Sequence, residues 1–206
     1  MALSYLALGD SYTIGEAVDA EGRWPHQLAA ALRAQGIAPQ DPLTIASTGW
    51  TTDELDAGID AAAPQPPFAF VSLLVGVNNQ YRGRPLEEYR HQFEALLQRA
   101  IGFAGGQPGR VLVLSFPDWG VTPFAAGSGR DGVQIARETD AFNAAAATLS
   151  ARHGVAFVDI TGLSRQHGAA AGMLAADDLH PSAAMYTLWA QHAEPVARQL
   201  LGGAGH

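Results

Sequence analysis

Residues 68–75, Phe-Ala-Phe-Val-Ser-Leu-Leu-Val, constrain the fold more than any other stretch of the chain. Side chains alternate between the two faces of a strand, so a run that is apolar at nearly every position must be covered on both faces. That is the condition of a strand inside a parallel sheet with helices packed above and below it. Four other short apolar runs have strand character, at residues 5–8, 43–46, 110–115 and 155–159. Segments of helical spacing lie between them. Leu28, Ala31 and Leu32 define a helix over 24–35 that stops at Gly36. Thr51 or Thr52 caps a helix running to about residue 62, where Pro64, Pro66 and Pro67 break it. From Pro85, residues Leu86, Tyr89, Phe93, Leu96, Leu97, Ala100 and Ile101 recur at intervals of three and four, with His91 on the polar side. A helix is expected over 134–152. A closing helix follows Pro181, with Leu188, Trp189, Val196 and Leu200 on its apolar side and Pro195 as a kink.

Five strands alternating with five helices predict an α/β fold, a five-stranded parallel sheet between helical layers. The 206 residues and 48% hydrophobic composition suit one domain with one core, expected over residues 1–201. Residues 202–206 are glycine-rich and are expected to be a disordered tail. Residues 116–130 read as a long loop holding Trp119 and Phe124, and loops of this length are usually functional or mobile.

In an open parallel sheet, ligands bind outside the carboxyl ends of the strands. The first strand-like run stops at Gly9-Asp10-Ser11, which delivers a serine to that edge with its backbone N–H free of strand or helix partners. Near the other end of the chain, Asp177-Asp178-Leu179-His180-Pro181 precedes the closing helix. Pro181 suits the first helical position, so His180 is expected at the helix N-terminus, where the partial positive charge disfavours imidazolium. Asp177, three residues earlier, is placed to accept from the ring nitrogen that faces away from the serine; Asp178 is expected only to cap the helix. A serine is a weak nucleophile until a base takes its proton, and His180 can be that base. Acyl transfer also needs donors aimed at the developing oxyanion. The N–H groups of Ser11 and Gly49 and the Asn78 side-chain amide, all at strand ends, are suitable.

Formal charge is −8, with acidic and basic residues scattered, which argues against nucleic acid or an anionic membrane as partner. The absence of cysteine excludes disulfides, thiolate metal sites and a cysteine nucleophile. No run reaches the length of a membrane span, and no leader pattern follows Met1, so a cytoplasmic location is expected if Met1 is the native start. No metal site is expected, because His26, His91, His153, His167 and His192 are scattered at surface-type positions.

Together these blocks resemble the SGNH hydrolases, also called the GDSL lipase/esterase family. Gly9-Asp10-Ser11 matches the first block, Gly49 the second, Gly76-Val77-Asn78 the third and Asp177 to Pro181 the last. The resemblance implies a three-layer α/β/α, flavodoxin-like fold. It also implies Ser11 as nucleophile, His180 as base, Asp177 as its partner, and Ser11, Gly49 and Asn78 as the oxyanion hole, with no cofactor. Two departures stand out: Asn79 where the family often has Asp, and Tyr12 after the serine where Leu is commoner. The expected activity is a serine esterase acting on a small-molecule ester of short acyl or acetyl type, with Tyr12, Trp50, Tyr81 and Trp119 as substrate-lining candidates. The alternatives are a lysophospholipase or thioesterase on longer chains, or a non-catalytic binding protein that keeps the fold. An α/β-hydrolase elbow is disfavoured because Ser11 lies outside a Gly-x-Ser-x-Gly motif, and a phosphate-binding loop because Asp10 would repel the anion.

Overall fold

The computed structural model describes residues 2–202. Five parallel strands, β1 (Tyr5–Gly9), β2 (Leu43–Ala46), β3 (Phe70–Leu74), β4 (Val111–Leu114) and β5 (Ala156–Val158), are hydrogen-bonded in the order β2-β1-β3-β4-β5. The register sets Leu8 between Ile45 of β2 and Leu73 of β3. Every residue of β1 and β3 is buried, as their apolar sequences require of strands covered on both faces. The chain runs outward from β1 to β2 and then returns past β1 to build β3, β4 and β5. This reversal opens a crevice between the carboxyl ends of β1 and β3, the place where doubly wound sheets bind ligands.

Nine helices connect and flank the strands among the described residues: α1 (Ser11–Ile14), α2 (Trp24–Ala34), α3 (Thr52–Ala62), α4 (Val77–Tyr81), α5 (Leu86–Phe103), α6 (Pro123–Gly127), α7 (Gly132–Arg152), α8 (Thr161–His167) and α9 (Ala183–Gly202). α2 packs against α9, burying Trp24, Leu28 and Leu32 from one and Tyr186, Trp189 and Ala193 from the other. α5 lies between α3 and α7 and covers β3, burying Tyr89, Phe93, Leu96 and Leu97. Thr51 is the residue that caps α3: its hydroxyl and the Glu54 side chain close a capping box, with Thr51 N–H donating to Glu54 Oε2 at 2.9 Å.

Several expectations are corrected. Residues 116–130 are not an open loop but hold a 3-10 turn (Trp119–Val121) and α6, tied down by capping from Asp118 and Thr122. α8 was not expected at all. It is short, with a glycine in its first turn, and it is fixed by distant partners: Thr161 and Ser164 bond to Ser115 Oγ and the Asp118 N–H. α9 begins two residues later than Pro181 implies. Ser182 takes the cap position, its carbonyl accepting from Tyr186 N–H at 3.0 Å, while Pro181 bridges to Leu174 in extended form. α9 runs through Pro195, whose face is exposed along with Gln191, the residue whose carbonyl loses its helical donor. Gly202, expected in the tail, ends this helix; the rest of the expected tail, residues 203–206, lies outside the described residues.

Candidate active site

The nucleophile candidate is presented by a turn that only glycine can begin. A Cβ at Gly9 would meet Thr13 Oγ1 at 2.2 Å and the Leu74 carbonyl at 2.5 Å, so β1 can pass this close to β3 and α1 only without one. Asp10 then caps α1, its Oδ1 accepting from Tyr12 N–H at 3.0 Å. Ser11 is the first residue of the helical turn, where backbone N–H groups have no acceptor inside the helix. Asp10 itself is fully buried, and its Oδ2 has no hydrogen-bond partner among the described residues. Burial pushes its carboxyl up to about 7, against the lowering effect of nearby backbone amides, that of Tyr12 foremost.

Two further strand ends supply donors. Gly49 follows β2 with φ +84°, a left-handed conformation that favours glycine, and its carbonyl accepts from Arg82. β3 ends at Gly76, where φ is +140° and a Cβ would strike the Tyr89 ring at 2.7 Å. This turn starts α4 and sets Asn78 on the cleft. Asn78 Nδ2 donates to the Trp50 carbonyl at 2.9 Å, which orients the amide and leaves its second N–H for a ligand. Asn79, the departure from the resembled pattern, is fully buried: its Oδ1 accepts from Thr52 N–H at 3.1 Å and its Nδ2 donates to Thr52 Oγ1 at 2.7 Å. A carboxylate could accept the first bond but not donate the second. The two asparagines thus tie down the chain at Trp50 and Thr52.

His180 and Asp177 form the last element. Asp177 Oδ1 accepts from the N–H groups of Leu179 and His180 at 3.0 and 2.9 Å, and its Oδ2 meets His180 Nδ1 at 2.6 Å. Burial raises the Asp177 carboxyl, but the hydrogen bonds from the His180 ring and from both amides outweigh it and leave the pKa below the usual value. His180 is not at the helix N-terminus as expected; its carbonyl accepts from Ala175 N–H, and its ring is 5.8 Å from that of Tyr12. Asp178 does not cap α9 either. It occupies a left-handed conformation at φ +58°, and its carbonyl accepts from Phe124 N–H.

Ser11, Gly49, Asn78 and His180 line one cleft of about 210 Å³. Tyr12, Tyr81 and Trp119 line it too, whereas Trp50 does not. The Trp50 ring lies on α3, where it fills the space a side chain at Gly58 would need. Thr48, Val77, Phe124 and Leu179 complete the lining and were missed as site residues. Thr48, Val77 and Leu179 are chain neighbours of motif residues, and that adjacency was the available signal. Among the described residues no group of three or more His, Asp or Glu side chains is placed to hold a metal, and no helix is long and apolar enough to cross a membrane.

A parallel α/β/α sheet that gathers a serine, a histidine–aspartate pair and amide donors around one cleft at its switch point defines a serine hydrolase of the SGNH type. The chain belongs to the GDSL-like lipase/acylhydrolase family, whose sequence profile matches residues 7–188. It is therefore an enzyme acting on ester bonds. No curated protein matches it by sequence. By structure it is similar to TesA, with a TM-score of 0.74 and 21% identity over 96% of this chain and 99% of that one. It is also similar to Axe2, an acetylxylan esterase from Geobacillus stearothermophilus, with a TM-score of 0.70 and 18% identity over 97% and 94%. A member of the lipolytic protein G-D-S-L family from Veillonella parvula gives 0.69 and 18% over 95% and 98%. At these identities the likenesses speak for the fold.

Proposed function

We propose that the protein hydrolyses carboxylic esters of short acyl groups through an acyl-enzyme on Ser11. The observation that carries the reading is the 2.6 Å contact of Asp177 with His180 Nδ1. It fixes the tautomer in which Nε2 is free to accept a proton, on a ring that shares its cleft with Ser11. As Ser11 Oγ bonds to the ester carbon, His180 Nε2 takes the hydroxyl proton, and Asp177 stabilises the imidazolium that forms. The negative charge moves to the former carbonyl oxygen, which the Ser11 and Gly49 N–H groups and Asn78 Nδ2 are suited to receive. His180 then returns the proton to the leaving alkoxide. Water, deprotonated by the same nitrogen, attacks the acyl-enzyme and regenerates Ser11.

The short-acyl part of the reading rests on space. At about 210 Å³ the cleft is smaller than the roughly 300–1,000 Å³ typical of sites that enclose drug-sized ligands. The test is hydrolysis of p-nitrophenyl esters from acetate to palmitate by wild type and Ser11→Ala. Turnover in wild type only, highest at acetate to butyrate, is expected; equal turnover by Ser11→Ala would remove the nucleophile assignment, and a maximum at palmitate would remove the short-acyl one.

A further inference from the structure

The cleft has two unlike sides. Ser11, Gly49, Asn78 and His180 form the polar one, and the other is aromatic. Trp119 stands at the centre of the aromatic side, its ring 5.3 Å from that of Tyr81 and 6.3 Å from that of Phe124, both edge-on. Although it lines the cleft, Trp119 is only 2% exposed, and it is anchored in three directions. Its Nε1–H donates to Gln80 Oε1 at 2.8 Å, and Gln80 Nε2 in turn donates to Glu138 Oε2 at 2.6 Å. The Arg130 guanidinium lies 5.1 Å from the Trp119 ring centre and 5.2 Å from that of Tyr81, and its Nη1 donates to the Tyr81 carbonyl at 2.9 Å. The backbone is held by Asp118, which accepts from Gly120 N–H and pairs with Arg165 at 2.9 Å.

Behind this side is a second void of about 10 Å³, about the room one water needs. Its walls are mostly apolar, including Val121, Leu174, Met185 and Trp189. Trp119, Tyr12 and Leu179 line both the cleft and the void, so these three side chains are the partition between them. Edge-on rings with an arginine over two of them offer little free aromatic face for stacking a sugar. They offer an apolar end-wall for an acyl chain.

We propose that Trp119, locked in place by Gln80 and Arg130, is the end-wall that limits the acyl chain, and that the space its indole fills, continuous with the small void behind it, is where longer chains would extend if the ring were removed. The inference rests on the ester-hydrolysis reading above and adds to it the residue that sets the length limit. A partition held by a buried hydrogen bond and a cation over its ring gives a sharp cutoff, whereas a mobile flap would give a gradual one.

The test is the ratio of kcat/KM for p-nitrophenyl octanoate to that for the acetate, in wild type, Trp119→Ala and Arg130→Ala. Trp119→Ala is expected to raise the ratio about tenfold or more, the scale on which hydrophobic pockets discriminate by chain carbons. Arg130→Ala, which frees the ring without removing it, is expected to raise it about two- to fivefold on the same ground. Because acetate turnover is the denominator, a general loss of structure or of catalysis does not move this ratio. An unchanged ratio in Trp119→Ala with acetate turnover retained overturns the inference alone. If Trp119→Ala is unfolded by circular dichroism, Arg130→Ala decides, and an unchanged ratio there overturns it equally. A wild type inactive on every ester overturns both the reading and the inference.

Discussion

Two turns beside the cleft begin with the same local device and end in opposite electrostatic states. In the turn after β1, Asp10 Oδ1 accepts from the N–H two residues on, at Tyr12; in the turn before α9, Asp177 Oδ1 does the same from Leu179. Their second oxygens part company. Asp10 Oδ2 is buried without a partner, and burial drives the carboxyl up to about 7. Asp177 Oδ2 holds the His180 ring, and its hydrogen bonds keep the carboxyl below the usual range. The turn chemistry of aspartate is local, but whether it remains a cap or also holds a histidine ring depends on what the fold sets against its second oxygen. Environments that separate the pKa values of like groups are a general way of assigning them different roles.

The largest effect should come from breaking the second turn. Asp177→Asn keeps the size of the side chain but can present an N–H to His180 Nδ1, which favours the wrong tautomer. We expect kcat on acetate esters to fall by about 10⁴, with KM little changed. A loss under tenfold would mean that the ring is oriented by something else, such as the Tyr12 ring against it.

Breaking the first turn in the same way should do little to catalysis. Asp10→Asn keeps the cap acceptor for Tyr12 N–H, so kcat should stay within about tenfold of wild type. Its signature is in stability. The folded carboxyl has the higher pKa, so its contribution is fully present below the ordinary value near 4 and is lost as pH rises through about 7. The asparagine variant lacks this loss. Its urea midpoint relative to wild type should therefore be higher at pH 8 than at pH 5, and a difference independent of pH would contradict the raised value.

The smallest effect has the opposite sign. The folded Asp177 carboxyl has the lower pKa, so its contribution is present above the ordinary value near 4 and is lost as pH falls below it. With its side chain 39% exposed, solvent screens much of this. The urea midpoint of Asp177→Asn should fall slightly less steeply than that of wild type between pH 4 and pH 3. A steeper fall would reverse the sign assigned to this group.

The same division between local and distant causes separates what could be read in the sequence from what could not. β2 falls where the apolar run 43–46 places it, and Thr51 closes its box with Glu54 because a Thr-x-x-Glu spacing is a local instruction. The parallel sheet follows from runs such as 68–75, whose apolar residues need cover on both faces. Ser11, Gly49 and Asn78 could be grouped because each follows a strand end and the sheet brings those ends together, and His180 because its Asp-Asp-Leu-His-Pro block precedes the closing helix. On the aromatic side, the place of Tyr12, Tyr81 and Trp119 on segments at the same sheet edge marked them as lining, but nothing local showed what holds the rings. Trp119 is placed by Gln80, 39 residues away in sequence, and its segment by Asp118 and Arg165, 47 apart. Trp50 pointed the other way for a similar reason: it sits beside Gly49, yet Gly58, a full turn into α3, supplies the gap that takes its ring. Asn79, a departure from the resembled pattern, makes two bonds to Thr52, and in the second its amide donates, which a carboxylate cannot do.

The proposal that Ser11 is a nucleophile activated by the His180–Asp177 pair can be read without any substrate, by covalent labelling. The folded protein would be treated with a fluorophosphonate, which phosphonylates activated serines, and the adduct located by peptide mass spectrometry. A single adduct is expected on the peptide containing Ser11, absent from Ser11→Ala and greatly slowed in Asp177→Asn. An adduct on a different residue, or labelling of Ser11 at the same rate when Asp177 is replaced, would contradict it.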